Sequence, residues 1–269
     1  MHAAFQWPGL APPSPSLSPV VRPSPQLPFA LAPKVWRGSE LATALTAAVS
    51  SGFHSLDAEL PGGGWPCLAV TEVLQPQPSL CEWRLLGPCL RRIVADGGQV
   101  ILVGPAKQPH LPGLQHEGIG PDNLVWIEAA TPSERLWSTE QLVKANPKGA
   151  VLSWLPQARP EQLRRLQVHA QSCESPVFLM RPSLAQNDPS PAPLRVLAAL
   201  GRDWTLEVRI LKRRGAALDE TITLPSFPGG LSAVLTPRML RPSVLSPQPA
   251  DVVLGSPARR ERVRELAGH

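Results

Sequence analysis

The sequence predicts an α/β fold: a doubly wound, mostly parallel sheet with antiparallel edge strands and disordered, proline-rich termini. Between residues 68 and 180, short apolar segments alternate with segments of helical period, as in strands joined by crossover helices. The 34 prolines are uneven, with nine in residues 1–33 and seven in 225–257. Because 43% of the residues are hydrophobic, we expect one core of ordinary domain size between two irregular ends.

These observations divide the chain into a proline-rich flexible arm at 1–33, an α/β core at 34–224 and a mostly irregular tail at 225–269. The arm contains a single Lys, Arg, Asp or Glu side chain, Arg22, and its prolines exclude a continuous helix or a central strand. The tail is expected to end in a short basic helix that begins near Ser256.

The core elements are predicted from their local patterns. Ser39 is a suitable N-cap for a helix at 40–49. A helix at 82–95 has an apolar stripe and ends at Gly97-Gly98, and a helix at 131–144 begins with a Thr-Pro-Ser-Glu cap. A turn of helix after Pro112 and a helix at 160–172 complete this set. The predicted strands cover 68–74, 100–103, 123–127, 149–155, 176–180, 205–212 and 221–224, and the last two alternate as antiparallel edge strands do.

The cysteines indicate neither a disulfide framework nor a metal site. Cys67, Cys81, Cys89 and Cys173 form no Cys-x-x-Cys pair and have no histidine at ligand spacing. No signal peptide and no apolar run of membrane-spanning length are present, so we expect a cytoplasmic protein with reduced thiols and no membrane partner. The net charge of +5 permits a polyanionic partner.

The segment after the first predicted core strand has the wrong composition for a phosphate-binding loop. Such a loop follows a strand, opens a helix and presents backbone N–H groups to the anion. Here the position reads Gln75, Pro76, Gln77, Pro78 and Ser79, without glycine or lysine, and the acidic Glu82 follows. The two prolines lack N–H donors and Glu82 would repel a phosphate, so we expect no bound nucleotide, metal or other cofactor.

Several motifs together carry a family resemblance. Phe53-His-Ser-Leu-Asp-Ala-Glu-Leu-Pro-Gly-Gly-Gly-Trp-Pro66 resembles the segment that precedes the P-loop strand in RecA-type recombinases. With the stretches at 130–137 and 150–156 and the Leu-Lys-Arg-Arg-Gly run ending at Gly215, residues 34–224 are similar to the ImuA family, RecA-related proteins of bacterial damage-induced translesion synthesis. The resemblance implies a RecA-like, P-loop NTPase-type core with a degenerate nucleotide site.

The departures from RecA-type ATPases fall on three elements of nucleotide hydrolysis. Besides the loop at 75–81, the strand at 100–103 ends in Gly104-Pro105-Ala106, where the resemblance implies a catalytic glutamate. The strand at 150–155 offers Ser153 and Trp154 where a metal-holding aspartate belongs. Because Mg-nucleotide chemistry needs the phosphate cradle and the carboxylates together, we expect a protein that is not an enzyme.

The resemblance implies partners in the SOS response rather than substrates. These are an ImuB-like protein and, through it, an error-prone DnaE-type polymerase and the sliding clamp, with RecA or DNA as further partners and nucleoid association on DNA damage. Two alternatives remain open: a SulA-like cell division inhibitor and a divergent DNA-dependent RecA-type ATPase.

Basic residues and tryptophans are the candidate contacts with a partner or DNA. We expect the tryptophans at 65, 83, 126, 137, 154 and 204 to pack in the core, whereas Trp36 lies outside the predicted sheet elements and suits an interface. The basic candidates are Arg164, Arg165, Lys212, Arg213, Arg214, Arg259, Arg260 and Arg262. The proline-rich segment at 181–194 takes the place of a mobile DNA-binding loop in RecA-type proteins, and its shortness argues against DNA binding there.

Overall fold

A computed structural model describes residues 47–227 and 234–240, all of which belong to one compact unit. Strands β1 (Ala48–Val49) and β2 (Trp65–Pro66) pair as a small antiparallel ribbon. The large sheet contains β3 (Val70–Gln75), β4 (Gln99–Val103), β5 (Leu124–Ile127), β6 (Gly149–Trp154), β7 (Val177–Pro182), β8 (Leu194–Leu200), β9 (Thr205–Lys212) and β10 (Thr221–Pro225). The helices are α1 (His54–Asp57), α2 (Glu82–Ala95), α3 (Leu111–His116), α4 (Pro132–Ala145), α5 (Pro160–Ala170) and α6 (Pro237–Leu240).

The eight-stranded sheet has the order β10-β9-β8-β3-β7-β6-β4-β5. Neighbouring strands from β8 to β5 run parallel, and β9 and β10 add to β8 as an antiparallel edge. The structure therefore confirms an α/β fold with a mostly parallel sheet and antiparallel strands at one edge. Strand β8 was not among the predicted strands. It separates β3 from the edge pair, so the carboxyl ends of β3 and β7 lie in the interior of the sheet.

Side chains of the parallel strands alternate between two hydrophobic cores, one on each face of the sheet. Val73, Leu102 and Leu152 point to the core that contains the apolar stripe of α2. Val151 and Leu179 point to the opposite core, which α4 and α5 cover. This alternation explains why the central strands read as continuous apolar runs, since both faces of a covered sheet are buried.

Local sequence explains where the helices that flank the site begin and end. Thr131 caps α4 as expected: its side chain accepts from the Glu134 N–H at 3.2 Å, and the Glu134 carboxylate accepts from the Thr131 N–H at 3.0 Å. Asn146, with φ of 48°, ends the same helix in the left-handed conformation. Gly97, with φ of 78°, follows the end of α2.

The helix expected at 40–49 is wrong at its end, because Ala48 and Val49 form a strand and pair with Pro66 and Trp65. Residues 40–46 lie outside the described part of the chain. A Cβ at Gly64 would lie 2.3 Å from the Val49 carbonyl oxygen, so the glycine permits the close approach of the two backbones. Gly64 therefore serves this ribbon.

The predicted arm at 1–33 and the predicted basic helix near the end of the tail lie outside the described residues. Within 47–227 and 234–240, no helix is long and apolar enough to cross a membrane. The described part of the tail includes the short helix α6, whose Met239 carbonyl oxygen accepts a 2.8 Å hydrogen bond from the Trp204 indole N–H.

Candidate functional site at the carboxyl edge of the sheet

The loop between β3 and α2, residues 76–81, lies at the carboxyl edge of the parallel sheet. Ligands of open α/β sheets bind at this edge. The loop contains Pro76 and Pro78, and Ser79 adopts a φ of 62°, a conformation that favours glycine. Its remaining N–H groups decide whether an anion can be held here.

Side chains of the protein itself accept hydrogen bonds from this loop. The Ser79 N–H donates to Glu82 Oε1 at 2.7 Å, and the Cys81 N–H donates to Gln75 Oε1 at 3.1 Å. Glu82 Oε1 also accepts from the indole Nε1 of Trp154 at 3.2 Å. A carboxylate at the start of α2 therefore lies near the helix N-terminus, where an anion would bind, and it accepts the hydrogen bond of the Ser79 N–H.

Glu82 is almost completely buried, with a residue exposure of 1%. Its second oxygen, Oε2, has no hydrogen-bond partner among the described residues. Leaving a carboxylate oxygen buried without a partner is costly, so the two bonds to Oε1 must offset part of that cost. The arrangement is a closed one, in which an incoming anion would meet a buried negative charge.

The ends of β4 and β6 carry no acidic side chain at the two positions that the resemblance assigns to catalysis. At the first, Gly104 has a φ of 54°, and a Cβ there would lie 2.6 Å from Arg135 Nε, so the guanidinium packs directly on the glycine backbone. At the second, the Ser153 and Thr139 hydroxyl oxygens are 2.6 Å apart, and Trp154 binds Glu82. Among the described residues, no group of three His, Cys, Asp or Glu side chains could hold a metal ion.

A cleft of about 700 Å³ opens next to this loop, between the N-terminal parts of α4 and α5. Its lining includes Arg135, Trp137, Arg159 and Arg165, with Trp154 at its inner end. Arg135 and Trp154 also line a smaller cavity of about 100 Å³ beside Gln75 and Pro78. The cleft and the closed loop are thus adjacent parts of one edge of the sheet.

A buried ionic cluster holds the segment at 183–193 on the sheet. Glu72, fully buried in β3, accepts from Arg195 Nε at 3.0 Å and lies 3.4 Å from Arg181 Nη1, and Ser190 donates to its other oxygen. Arg181 also pairs with Asp188 at 3.2 Å. Arg195 donates to the Ala185 and Gln186 carbonyl oxygens at 2.6 and 3.2 Å. The short proline-rich segment is therefore anchored to the sheet by charge-assisted bonds.

The three basic residues at positions 212–214, where β9 ends, lie in different environments. Lys212 Nζ donates to the Ser190 carbonyl oxygen at 2.8 Å. Arg213 forms an ion pair with Glu59 at 2.8 Å and keeps only 14% of its side chain exposed. Arg214 is exposed and lines a cavity of about 160 Å³ with Cys67 and neighbouring residues. Of the three, Arg213 is thus mainly a structural contact.

Of the remaining candidate contacts, the structure describes two, Arg164 and Arg165. Arg164 and Arg165 are both exposed on α5, and Arg165 pairs with Glu140. Trp36, Arg259, Arg260 and Arg262 lie outside the described residues.

The tryptophans do not all pack in the core. Trp65 and Trp154 are buried, and Trp65 meets Phe178 edge to face at 5.5 Å. Trp126 and Trp137 are instead 45% and 63% exposed, which corrects the expectation for both. Trp137 and two cleft arginines, Arg135 and Arg159, are the site residues that sequence reasoning missed. The cap of α4 was recognisable, but nothing in the sequence showed that the starts of α4 and α5 enclose a cleft.

The chain matches no protein-family model and no curated protein.

Proposed function

We propose that this chain is a RecA-like protein without ATPase activity, which acts as an accessory and adaptor protein in SOS-induced translesion DNA synthesis. Its direct partner is an ImuB-like protein, and through it the chain reaches an error-prone DnaE-type polymerase and the sliding clamp. The protein works in the cytoplasm and joins the nucleoid after DNA damage, where RecA or DNA is a further contact. The motifs at 53–66, 130–137, 150–156 and 211–215 support this assignment.

One observation carries the non-catalytic part of the proposal: Glu82 and Gln75 accept the hydrogen bonds of the Ser79 and Cys81 N–H groups. Phosphoryl transfer depends on positioned donors and a held metal ion, because the protein supplies little covalent chemistry. Here the Ser79 N–H is bonded to a buried carboxylate and the Cys81 N–H to a side-chain amide oxygen, so these two donors do not face an open phosphate position. The sheet then serves as a rigid body that presents contacts, which is what an adaptor requires.

The ATPase question is tested by titrating the full chain with Mg-ATP, with and without single-stranded DNA, in a calorimeter and in a phosphate-release assay. We expect no saturable heat and no DNA-stimulated phosphate release. Hydrolysis that disappears when residues 75–82 are altered would overturn the proposal in favour of a divergent ATPase.

The partner assignment is tested by co-purification of the tagged full chain from cells after DNA damage. We expect an ImuB-like protein and a DnaE-type polymerase to be recovered. Recovery of the division GTPase instead, together with filamentous growth on overexpression, would support the SulA-like alternative and contradict the adaptor role.

A further inference from the structure

We propose that the cleft between α4 and α5 binds an acidic peptide segment of a partner protein, with Trp137 packed on an apolar side chain and Arg135 and Arg159 facing carboxylates. The inference rests on the adaptor function proposed above and names the chemistry of the contact.

The size and position of the cleft suit a ligand. Its volume of about 700 Å³ falls within the roughly 300–1,000 Å³ of ligand-binding clefts. It lies at the carboxyl edge of the parallel sheet, where the starts of two helices leave a concave surface. Helix α4 and helix α5 are held together beneath it by the core around Leu136 and Leu163, so the walls are preformed.

Trp137 gives the cleft an apolar contact that the fold does not use. Trp137 is 63% exposed, compared with 45% for Trp126. The neighbouring lining includes Pro156, an exposed residue that adds apolar surface to the cleft, and Leu155, which is almost completely buried. Tryptophan and arginine are the side chains that most often dominate the energetics of protein interfaces.

The cleft also has an excess of positive charge. Three arginines and one glutamate are the charged residues of its lining. Arg135 Nε donates to the Ala129 carbonyl oxygen at 2.9 Å, a neutral partner, and within the described residues no carboxylate lies within ion-pair distance of Arg135. Arg159 pairs with Glu161 at 3.2 Å, but both side chains are exposed, at 72% and 65%, so the pair is weak and a ligand carboxylate can replace it.

This distribution favours a peptide over a nucleic acid. A nucleic-acid strand carries a charge at every nucleotide and needs a row of cations along its path. Here Arg165 is already paired with Glu140, so Arg135 and Arg159 are the two cations of the lining that remain for a ligand, beside the apolar Trp137 and Pro156. One or two carboxylates beside a leucine or an aromatic side chain match the cleft better.

The test uses the full chain and fluorescein-labelled peptides in an anisotropy titration. The first probe is an octapeptide in which Asp alternates with Leu and one Leu near the middle is replaced by Phe. The other two are the same peptide with Asn in place of Asp and a dT12 oligonucleotide. Trp137→Ala and Arg159→Glu remove the two contacts that are exposed and do not support the fold. The matched controls are Trp126→Ala, which replaces a second exposed tryptophan of the described residues, and Arg92→Glu, which replaces an exposed arginine of α2 outside the cleft lining.

We expect the acidic peptide to bind the wild-type chain, with Kd raised about tenfold or more by Trp137→Ala and by Arg159→Glu and changed less than about twofold by the controls. The Asn peptide should bind at least about tenfold more weakly. Equal affinity of the acidic peptide for all variants, or binding of dT12 without binding of the peptide, would overturn the inference.

Co-purification with the ImuB-like protein separates this inference from the adaptor function. If the ImuB-like protein fails to associate but the acidic peptide binds in a Trp137-dependent manner, the cleft assignment stands and the adaptor function is wrong. If the ImuB-like protein associates equally with wild type and Trp137→Ala and no acidic peptide binds, the adaptor function stands and the cleft assignment is wrong.

Discussion

Replacing Glu82 tests whether its carboxylate closes the loop after β3. In Glu82→Ala, the Ser79 N–H and the Trp154 indole N–H lose an acceptor, at 2.7 and 3.2 Å respectively, in a site where Glu82 itself is 1% exposed. Hydrogen bonds to charged groups contribute roughly 1.5–3 kcal/mol each, so their sum is about 3–6 kcal/mol. Relief of the buried, unpartnered Oε2 opposes this loss by about 1–2 kcal/mol.

We therefore expect Glu82→Ala to lower the free energy of unfolding by about 1–5 kcal/mol. Glu82→Gln keeps an oxygen acceptor while losing the charge near the start of α2, so about 1 kcal/mol should be lost. Urea unfolding followed by circular dichroism measures both.

Glu161→Ala is the matched control, because Glu161 also lies in a first helical turn but is 65% exposed. It should change stability by less than about 0.5 kcal/mol. If Glu82→Ala proved as stable as the control, the hydrogen bonds to Glu82 would not hold the loop, and the argument for a closed phosphate position would fail.

Three further predictions concern other parts of the fold. Glu72→Ala leaves Arg181 and Arg195 buried without their carboxylate and should cost about 3–5 kcal/mol in urea unfolding; a cost below about 1 kcal/mol would contradict the buried ionic cluster. Arg213→Ala should cost about 1–2 kcal/mol through loss of the Glu59 pair, whereas Arg214→Ala should leave the unfolding midpoint unchanged, and equal effects of the two would refute the distinction drawn between them. Burial raises the pKa of Cys67 and Cys81 to about 11 and of Cys89 to about 12, and that of Cys173 is also raised, so a disulfide reagent at pH 8 should label none of the four thiols until the protein unfolds. Because the folded state holds these protons more tightly, the same groups should lower stability as the pH rises above about 9, and rapid labelling at pH 8 would show that the thiols are accessible.

The sequence predicted most of the core elements because each has a local cause. Helix α2 begins at Glu82 as expected, and β9 has the predicted bounds, because an apolar stripe and a strict alternation are local signals. Strand β8 was missed because its sequence, Leu-Arg-Val-Leu-Ala-Ala-Leu, is rich in helix-forming residues and contains a charge. That charge, Arg195, is buried because Glu72 faces it from β3, a pairing across 123 positions of the chain, and because the Ala185 and Gln186 carbonyl oxygens accept its other hydrogen bonds.

Some features of the candidate site can also be predicted from the local sequence, whereas others depend on the fold. The absence of glycine and lysine from residues 75–81 could be read directly, and so could the acidic Glu82. The partner of Glu82 could not, because Trp154 reaches it across 72 positions through the order of strands in the sheet. The cleft depends on two helix starts that are neighbours only after the sheet has formed, and local patterns do not report such neighbours.

The buried ionic cluster has a consequence for how the sequence can vary. Glu72, Arg181 and Arg195 lie on three adjacent strands. Loss of Glu72 removes the carboxylate that the two buried arginines share, and loss of either arginine removes one of the two buried cations that Glu72 faces. A single substitution at any of the three positions therefore gives a poorly stable protein, whereas an apolar replacement of all three can restore stability. Among relatives of this chain, positions 72, 181 and 195 should change together or remain as they are.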